Sequence, residues 1–385
     1  MKPSNFTAQA SGRCVKTTRN YYAFIPNPLP PVLEVDWDLA RLISEADRAV
    51  AELSGLGRLL PNPHILMAPY MRREAVQSSR IENTQAGLED LFAYENDESD
   101  QRTGDVREVA NYVNAMERGL ELLNSLPICS RLIREIHAIL LDGVRGGGIF
   151  PGEYRTTQNW IGSPGCTLRD AKFIPVPPED LLETLSQLER YINDADAIEP
   201  PLVRCAYLHY QFEAIHPFAD GNGRVGRLLI TLFLCAQGHL SQPLLYLSEF
   251  FEQHRDEYYR LLLGVSQKGL WREWLEFFLS GVKFQAQDAC TRSRTLTDLN
   301  AVYREKLGTK RVPEAAAKLI DQIFTNPLVA PTKLAKEWDM SFPTVMKGVE
   351  RLVELKIIHE ITGKQRNRIY KATEVAEILE RPATS

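Results

Sequence analysis

The stretch HPFADGNGRVGR, His216 to Arg227, decides how the rest of the chain is read. It places one imidazole, one carboxylate, three glycines, one asparagine and two arginines between apolar flanks. Upstream, residues 201–215 are helix-periodic and almost wholly apolar around Tyr207, Leu208 and Phe212. Pro217 ends that helix or forces its exit. Downstream, Val225, Leu228, Leu229 and Leu232 fall on one helical face. Gly221 and Gly223 permit tight turning and close backbone approach. The expected unit is helix, glycine turn, helix N-terminus. Its free N–H groups converge on one spot, which suits a phosphate or another anion.

The side chains agree. Arg224 and Arg227 are three apart, near each other at a helix start. Cations sit badly there unless an anion lies between them. Asp220, just before the glycines, suits a Mg2+ that bridges phosphate oxygens. Asn222 is placed to orient the turn or donate to a phosphate. An imidazole ordinarily titrates near neutrality, so His216 is expected to suit removal of a proton from an attacking hydroxyl. Together these parts describe transfer onto a hydroxyl from a metal-bound polyphosphate. No GxxxxGK(S/T) is present, so a P-loop is excluded.

Working outward, most of the chain has helical spacing. Segments such as "DLARLISEADRAVAELSGLG", "VREVANYVNAMERGLELL" and "ICSRLIREIHAILLDGV" read as helices. Between Gly146 and Pro178 the Gly, Pro and Thr content rules out a persistent helix and predicts a loop with a hairpin. Residues 1–35 are polar, then proline-rich, and read as an extended arm. From about Leu299, three short helices and a basic alternating segment follow, a winged helix-turn-helix pattern. Ser341 is its expected helix cap, with Thr344, Lys347 and Arg351 outward and Lys364, Arg366 and Arg368 on the wing.

The 385 residues carry a net charge of −5, which recruits neither nucleic acid nor anionic membrane globally. The charge is uneven: from Ala301 onward 15 Lys and Arg face 11 Asp and Glu, net +4, against 30 and 39 in the rest, net −9. Six dispersed cysteines form no CxxC pair, so neither a zinc site nor a disulfide framework is expected. The polar N-terminus lacks a signal-peptide core, and no apolar run approaches the ~18 residues of a membrane span. A cytoplasmic location is the expectation, with no membrane partner.

The twelve opening residues resemble the Fic signature HxFx(D/E)GNGRxxR at every specified position. The resemblance covers roughly residues 36 to 285. It implies a mainly α fold: a Fic helical core with a β-hairpin flap, here followed by the winged helix-turn-helix. The expected divisions are an arm at 1–35, a helical region with an inhibitory helix at 36–125, the Fic catalytic core at 126–290 and the winged-helix domain at 300–385. The family transfers AMP from ATP to Ser, Thr or Tyr hydroxyls of proteins. By resemblance His216 is the general base and Asp220 holds Mg2+. Gly221, Asn222, Gly223, Arg224, Val225, Gly226 and Arg227 bind the nucleotide. "AKFIPVPPEDL", residues 171–181, is similar to the flap that grips a target segment by strand addition. "DEYYRLL" resembles the adenine-side segment, through Tyr258 or Tyr259, with Ser266 where some relatives have Asn.

"SSRIEN", Ser78 to Asn83, matches the family's inhibitory pattern (S/T)xxxE(G/N). Ser78 and Glu82 are four apart, hence expected on one helix face. The resemblance implies that Glu82 pairs with Arg227 and takes it from the γ-phosphate. The implied function is a protein adenylyltransferase using ATP and Mg2+, autoinhibited by Glu82, acting on a target protein docked at the flap. Rival readings are a DNA-binding regulator whose Fic body senses nucleotide, a Fic enzyme with another nucleotide donor, and one that removes AMP. DNA contact through the winged helix and a homodimer stay open as partners.

Overall fold

The computed structural model describes residues 1–59, 64–96, 104–143, 150–163, 165–308, 313–363 and 366–383. A hairpin opens the chain: β1 (Gly12–Lys16) pairs antiparallel with β2 (Tyr22–Pro26). The expected extended arm is therefore folded back on itself, with Ala23 and Phe24 buried. Then come α1 (Trp37–Leu59), α2 (His64–Ile81), α3 (Leu88–Asn96), α4 (Gly104–Leu122) and α5 (Ser130–Leu140). After the Gly- and Pro-rich segment follow α6 (Leu181–Ile192), α7 (Pro201–Ile215), α8 (Asn222–Ala236), α9 (Ser248–Gln253), α10 (Arg255–Lys268) and α11 (Trp271–Leu307). The C-terminal part holds α12 (Glu314–Thr325), β3 (Leu328–Val329), α13 (Pro331–Glu337), α14 (Phe342–Glu354), β4 (His359–Glu360), β5 (Tyr370–Lys371) and α15 (Thr373–Glu380).

The centre is the α7–α8 pair. α7 is buried on nearly all sides, because its residues are apolar all round rather than along one stripe. α8 buries Val225, Leu228, Leu229 and Leu232 completely. It packs against α2, α4 and α5, while α11 runs past α1 and α7 as a spine. No glycine or proline interrupts residues 282–307, so α11 continues unbroken through the divisions expected at 290 and 300. Its C-terminal half packs against α12 and α15.

The expected flap hairpin is reduced to one antiparallel bridge, Ile161 to Phe173. Pro175, Pro177 and Pro178 follow and carry no N–H for a ladder. The segment is held from the other side instead: Phe24 N–H of β2 donates to the Ile174 carbonyl at 2.9 Å.

In the C-terminal part, β3, β5 and β4 form a three-stranded antiparallel sheet in that order. Ser341 caps α14, its Oγ accepting from Thr344 N–H. Lys364 lies outside the described residues. Among the described residues no helix is long and apolar enough to cross a membrane.

Candidate active site

The glycine turn forms as its composition dictates. α7 ends at His216, whose φ of 52° and ψ of 62° place it in the left-handed region. Pro217 bars residue 216 from the α region, and histidine is among the non-glycine residues enriched there. Gly221, at φ 76°, makes the reverse bend and caps α8. Asn222 closes the loop: its Oδ1 accepts from Phe218 N–H at 2.8 Å and its Nδ2 donates to Phe218 O at 2.9 Å. Of its two expected roles, orienting the turn occupies both ends of its amide.

His216 Nδ1 lies 3.3 Å from the Glu213 carbonyl. With a proton on Nδ1 donated there, Nε2 keeps its lone pair and is the basic nitrogen. Burial, reinforced by the nearby Arg155 cation, lowers the imidazole to about 4. His216 is therefore neutral at physiological pH, the state a base requires.

Glu82 and Ser78 reach the same place from α2. That helix ends one residue before Glu82, in a paired closure. Asn83 N–H donates to Arg80 O at 2.9 Å and Thr84 N–H to Ser79 O at 3.1 Å, with Asn83 at φ 71°. Ser78 lies within the helix and Glu82 caps it, so the two are not on one helical face as expected. They still converge on one guanidinium. Arg227 Nε donates to Ser78 Oγ at 2.8 Å, and its Nη2 donates to Ser78 O at 3.0 Å and to Glu82 Oε1 at 2.7 Å. Glu82 also covers the turn itself: a Cβ on Gly223 would lie 2.4 Å from Glu82 Oε1. Burial acts to raise the Glu82 carboxyl, but Arg227 overrides it, and the group sits below the ordinary carboxylate value.

The remaining predicted residues are spread more widely. Asp220 is half-exposed, its Oδ1 accepting from Gly221 N–H at 2.6 Å. Among the described residues, no group of three or more His, Cys, Asp or Glu stands together as a metal site. Val225 is fully buried in the core, and the Gly226 carbonyl lies 3.1 Å from His209 Nδ1. Tyr258 is buried, its hydroxyl 2.8 Å from His209 Nε2. Tyr259 is open to solvent with the Arg255 guanidinium over its ring, and Arg255 reaches Asn83 Oδ1 at 3.0 Å. Of the two tyrosines, only Tyr259 is available to a ligand beside Glu82.

Sequence reasoning missed the residues that frame this turn. Arg155 donates to His216 O at 2.8 Å, Ile215 O at 3.2 Å and Val176 O at 2.5 Å, tying the glycine turn to the flap segment. Asn159 Nδ2 donates to Phe218 O at 2.8 Å and His216 O at 3.2 Å. His137 stacks on Phe218 at 3.6 Å, accepts from Gly152 N–H through Nδ1, and lies 3.1 Å from the Asp220 carbonyl through Nε2. Glu108 of α4 accepts from Arg224 Nη1 at 3.0 Å. None of these belongs to a local motif. Arg155 stands in GEYR, residues 152–155, a loop sequence with no local sign of its distant partners.

A neutral imidazole, a helix start and two arginines each paired with a carboxylate meet at one turn on a helical scaffold. The chain carries two Fic/DOC family regions: residues 40–121 match the family's N-terminal model and residues 127–234 its main model. It is 35% identical over 138 residues to protein adenylyltransferase fic-1 of Caenorhabditis briggsae, covering 33% of this chain and 25% of that protein. It is 32% identical over 167 residues to protein adenylyltransferase Fic of Drosophila persimilis, covering 43% of this chain and 28% of that protein. The matched region thus spans about a quarter of the length of these curated relatives. Among solved structures, a Fic family protein from Desulfovibrio desulfuricans superposes with a TM-score of 0.59 at 20% identity, over 89% of this chain and 98% of that one.

Proposed function

We propose that this chain is a protein adenylyltransferase that transfers AMP from ATP to a protein hydroxyl and is held in check by Glu82. His216 Nε2 takes the proton of an incoming Ser, Thr or Tyr hydroxyl. The hydroxyl oxygen bonds to the α-phosphorus and pyrophosphate leaves. The first-turn N–H groups of α8 and the two arginines stabilise the phosphates, so catalysis is chiefly positioning and charge neutralisation. The observation that carries the reading is the Glu82–Arg227 pair laid over Gly223, where an anion would otherwise sit. A carboxylate on that guanidinium withholds it from the outer phosphates.

Mg2+ fits this site through Asp220. A single half-exposed carboxylate beside the turn suits an ion that fills its shell from substrate phosphates and water. Bound there, the ion would supply charge neutralisation on the polyphosphate. Tyr259 is the adenine-side candidate, because Tyr258 is enclosed. Residues 171–181 are the proposed docking segment for the target. We read the C-terminal part as a winged helix. DNA contact through it is the second reading, motivated by exposed Thr344 and Lys347 at the start of α14. A duplex titration against salt tests it, a steep slope supporting backbone contact and a flat one excluding it.

The test of the main reading is incubation of the Glu82→Gly protein with ATP, Mg2+ and cell lysate, followed by mass spectrometry. Addition of one AMP to a mapped hydroxyl, lost with His216→Ala, is the expected result. Labelling that survives His216→Ala would sink the assignment of the base.

A further inference from the structure

Arg224 and Arg227 stand about one helical turn apart at the start of α8, yet their donors are used differently. Arg227 makes three hydrogen bonds, all to Ser78 and Glu82. Arg224 makes one, from Nη1 to Glu108 Oε2 at 3.0 Å. Its Nε is buried with no partner among the described residues. Its Nη2 lies 3.9 Å from Asp220 Oδ1, beyond hydrogen-bond reach. The Arg224 side chain is only 4% exposed and that of Glu108 24%.

The difference has physical content. A guanidinium this buried needs a carboxylate to offset its lost hydration. One contact at Nη1 meets that need and, because the guanidinium is rigid and planar, also fixes where the other donors point. Those donors include a buried Nε–H with no acceptor among the described residues, whose lost hydration is not made good in the free protein. They also include Nη2, on the side of Asp220. Glu108 comes from α4, which packs along α8, so its position is set by a helix–helix interface. Glu82, in contrast, lies in a turn and occupies the anion site over Gly223.

We propose that Glu108 is a positioning residue for polyphosphate recognition, tethering Arg224 through Nη1 so that its free donors face the nucleotide. The proposal rests on the adenylyltransferase reading above. Removing Glu82 releases an arginine for ligand; removing Glu108 loosens one already aimed at it.

The test uses the full chain with Glu82→Gly as parent, ATP and Mg2+ as the probe, calorimetric binding, and steady-state self-labelling. Adding Glu108→Gln should weaken ATP binding about tenfold and raise KM for ATP similarly, with kcat changed by no more than about twofold, the pattern of lost uniform binding. In an Arg224→Gln background, Glu108→Gln should change ATP affinity by less than about twofold, because its partner is gone. Glu108→Asp, which keeps the charge but withdraws it, should lose affinity in the same direction, and thermal melting reports the folding of each variant. Unchanged ATP affinity in both Glu108 variants, or an equal loss without Arg224, overturns the proposal. So does a rise in labelling when Glu108→Gln is made with Glu82 retained, since that would make Glu108 a second brake. A parent Glu82→Gly protein that fails to bind ATP at all would instead remove the underlying reading, and this one with it.

Discussion

Glu82 Oε1 lies 2.7 Å from Arg227 Nη2 across 145 residues of sequence, and the same oxygen covers Gly223 at the start of α8. The carboxylate caps the C-terminal end of α2, where the helix dipole disfavours an anion, and faces the N-terminal end of α8, where the dipole favours one. It therefore sits in the second helix's anion site, aided by the guanidinium. Arg227 holds Glu82 ionised against the opposing effect of burial, so the pair persists through the neutral range. Any ligand phosphate must compete with it.

The turn that presents Glu82 depends on Asn83 in the left-handed region, at φ 71°. Glycine adopts that conformation freely; a β-branched residue is strained there by roughly 1–2 kcal/mol. Asn83→Gly should leave self-labelling as low as in the wild type. Asn83→Val should lower thermal stability and raise self-labelling, because the carboxylate is no longer delivered to Arg227. Equal labelling by the two variants would contradict this account of the turn.

Arg155 joins the flap segment to the glycine turn through the carbonyls of Val176, Ile215 and His216. Arg155→Met leaves those carbonyls short of a donor and frees the turn. Each lost buried partner costs about 1–3 kcal/mol. In the Glu82→Gly background, kcat for labelling should fall by about ten- to a hundredfold while ATP affinity stays within about twofold. Loss of ATP binding with kcat preserved would place Arg155 in nucleotide recognition instead.

Acid stability carries a signature of the site. Burial lowers His137 and His216 to about 4 and His209 to about 3. An unfolded histidine titrates near 6.5. Between these values the unfolded chain binds more protons, so this stabilisation is complete above about pH 6.5 and is lost as the pH falls toward 4. Each such histidine contributes a slope of about 1.4 kcal/mol per pH unit in that window. Glu213, raised to about 7 by burial and by Glu82 against the opposing pull of Arg227, acts in the opposite sense, and buried Glu74 is raised as well. Urea midpoints should fall between pH 6.5 and 5, and Glu213→Gln should steepen the fall by about one proton's slope. A shallower fall in Glu213→Gln would contradict the assignment.

The sequence disclosed what is contiguous. Twelve residues from His216 to Arg227 carry the imidazole, the turn and both arginines, and the pattern from Ser78 to Asn83 carries the carboxylate that meets Arg227. Helical periodicity disclosed the mainly α core, because the burying faces repeat locally. What stayed hidden acts across distance. Glu108 meets Arg224 over 116 residues and Arg155 meets His216 over 61, each as one ordinary residue on an ordinary helix or loop. Tyr258 and Tyr259 are adjacent in sequence with ring centroids 5.2 Å apart, yet one is enclosed by His209 and Phe251 and the other is open to solvent. In the flap the β-prone residues alternate with prolines that cannot donate to a ladder, so the pairing stops at Ile161 and Phe173. The long α11 crossed the expected domain division because composition changes near its end while helix-forming residues continue.

The most direct measurement of the central claim is incorporation of label from α-labelled ATP into purified wild type and Glu82→Gly under identical Mg2+ and ATP concentrations. The account predicts labelling at least about tenfold higher in Glu82→Gly, the factor set by about 1.4 kcal/mol of released arginine–phosphate interaction. Equal labelling of the two proteins would contradict it.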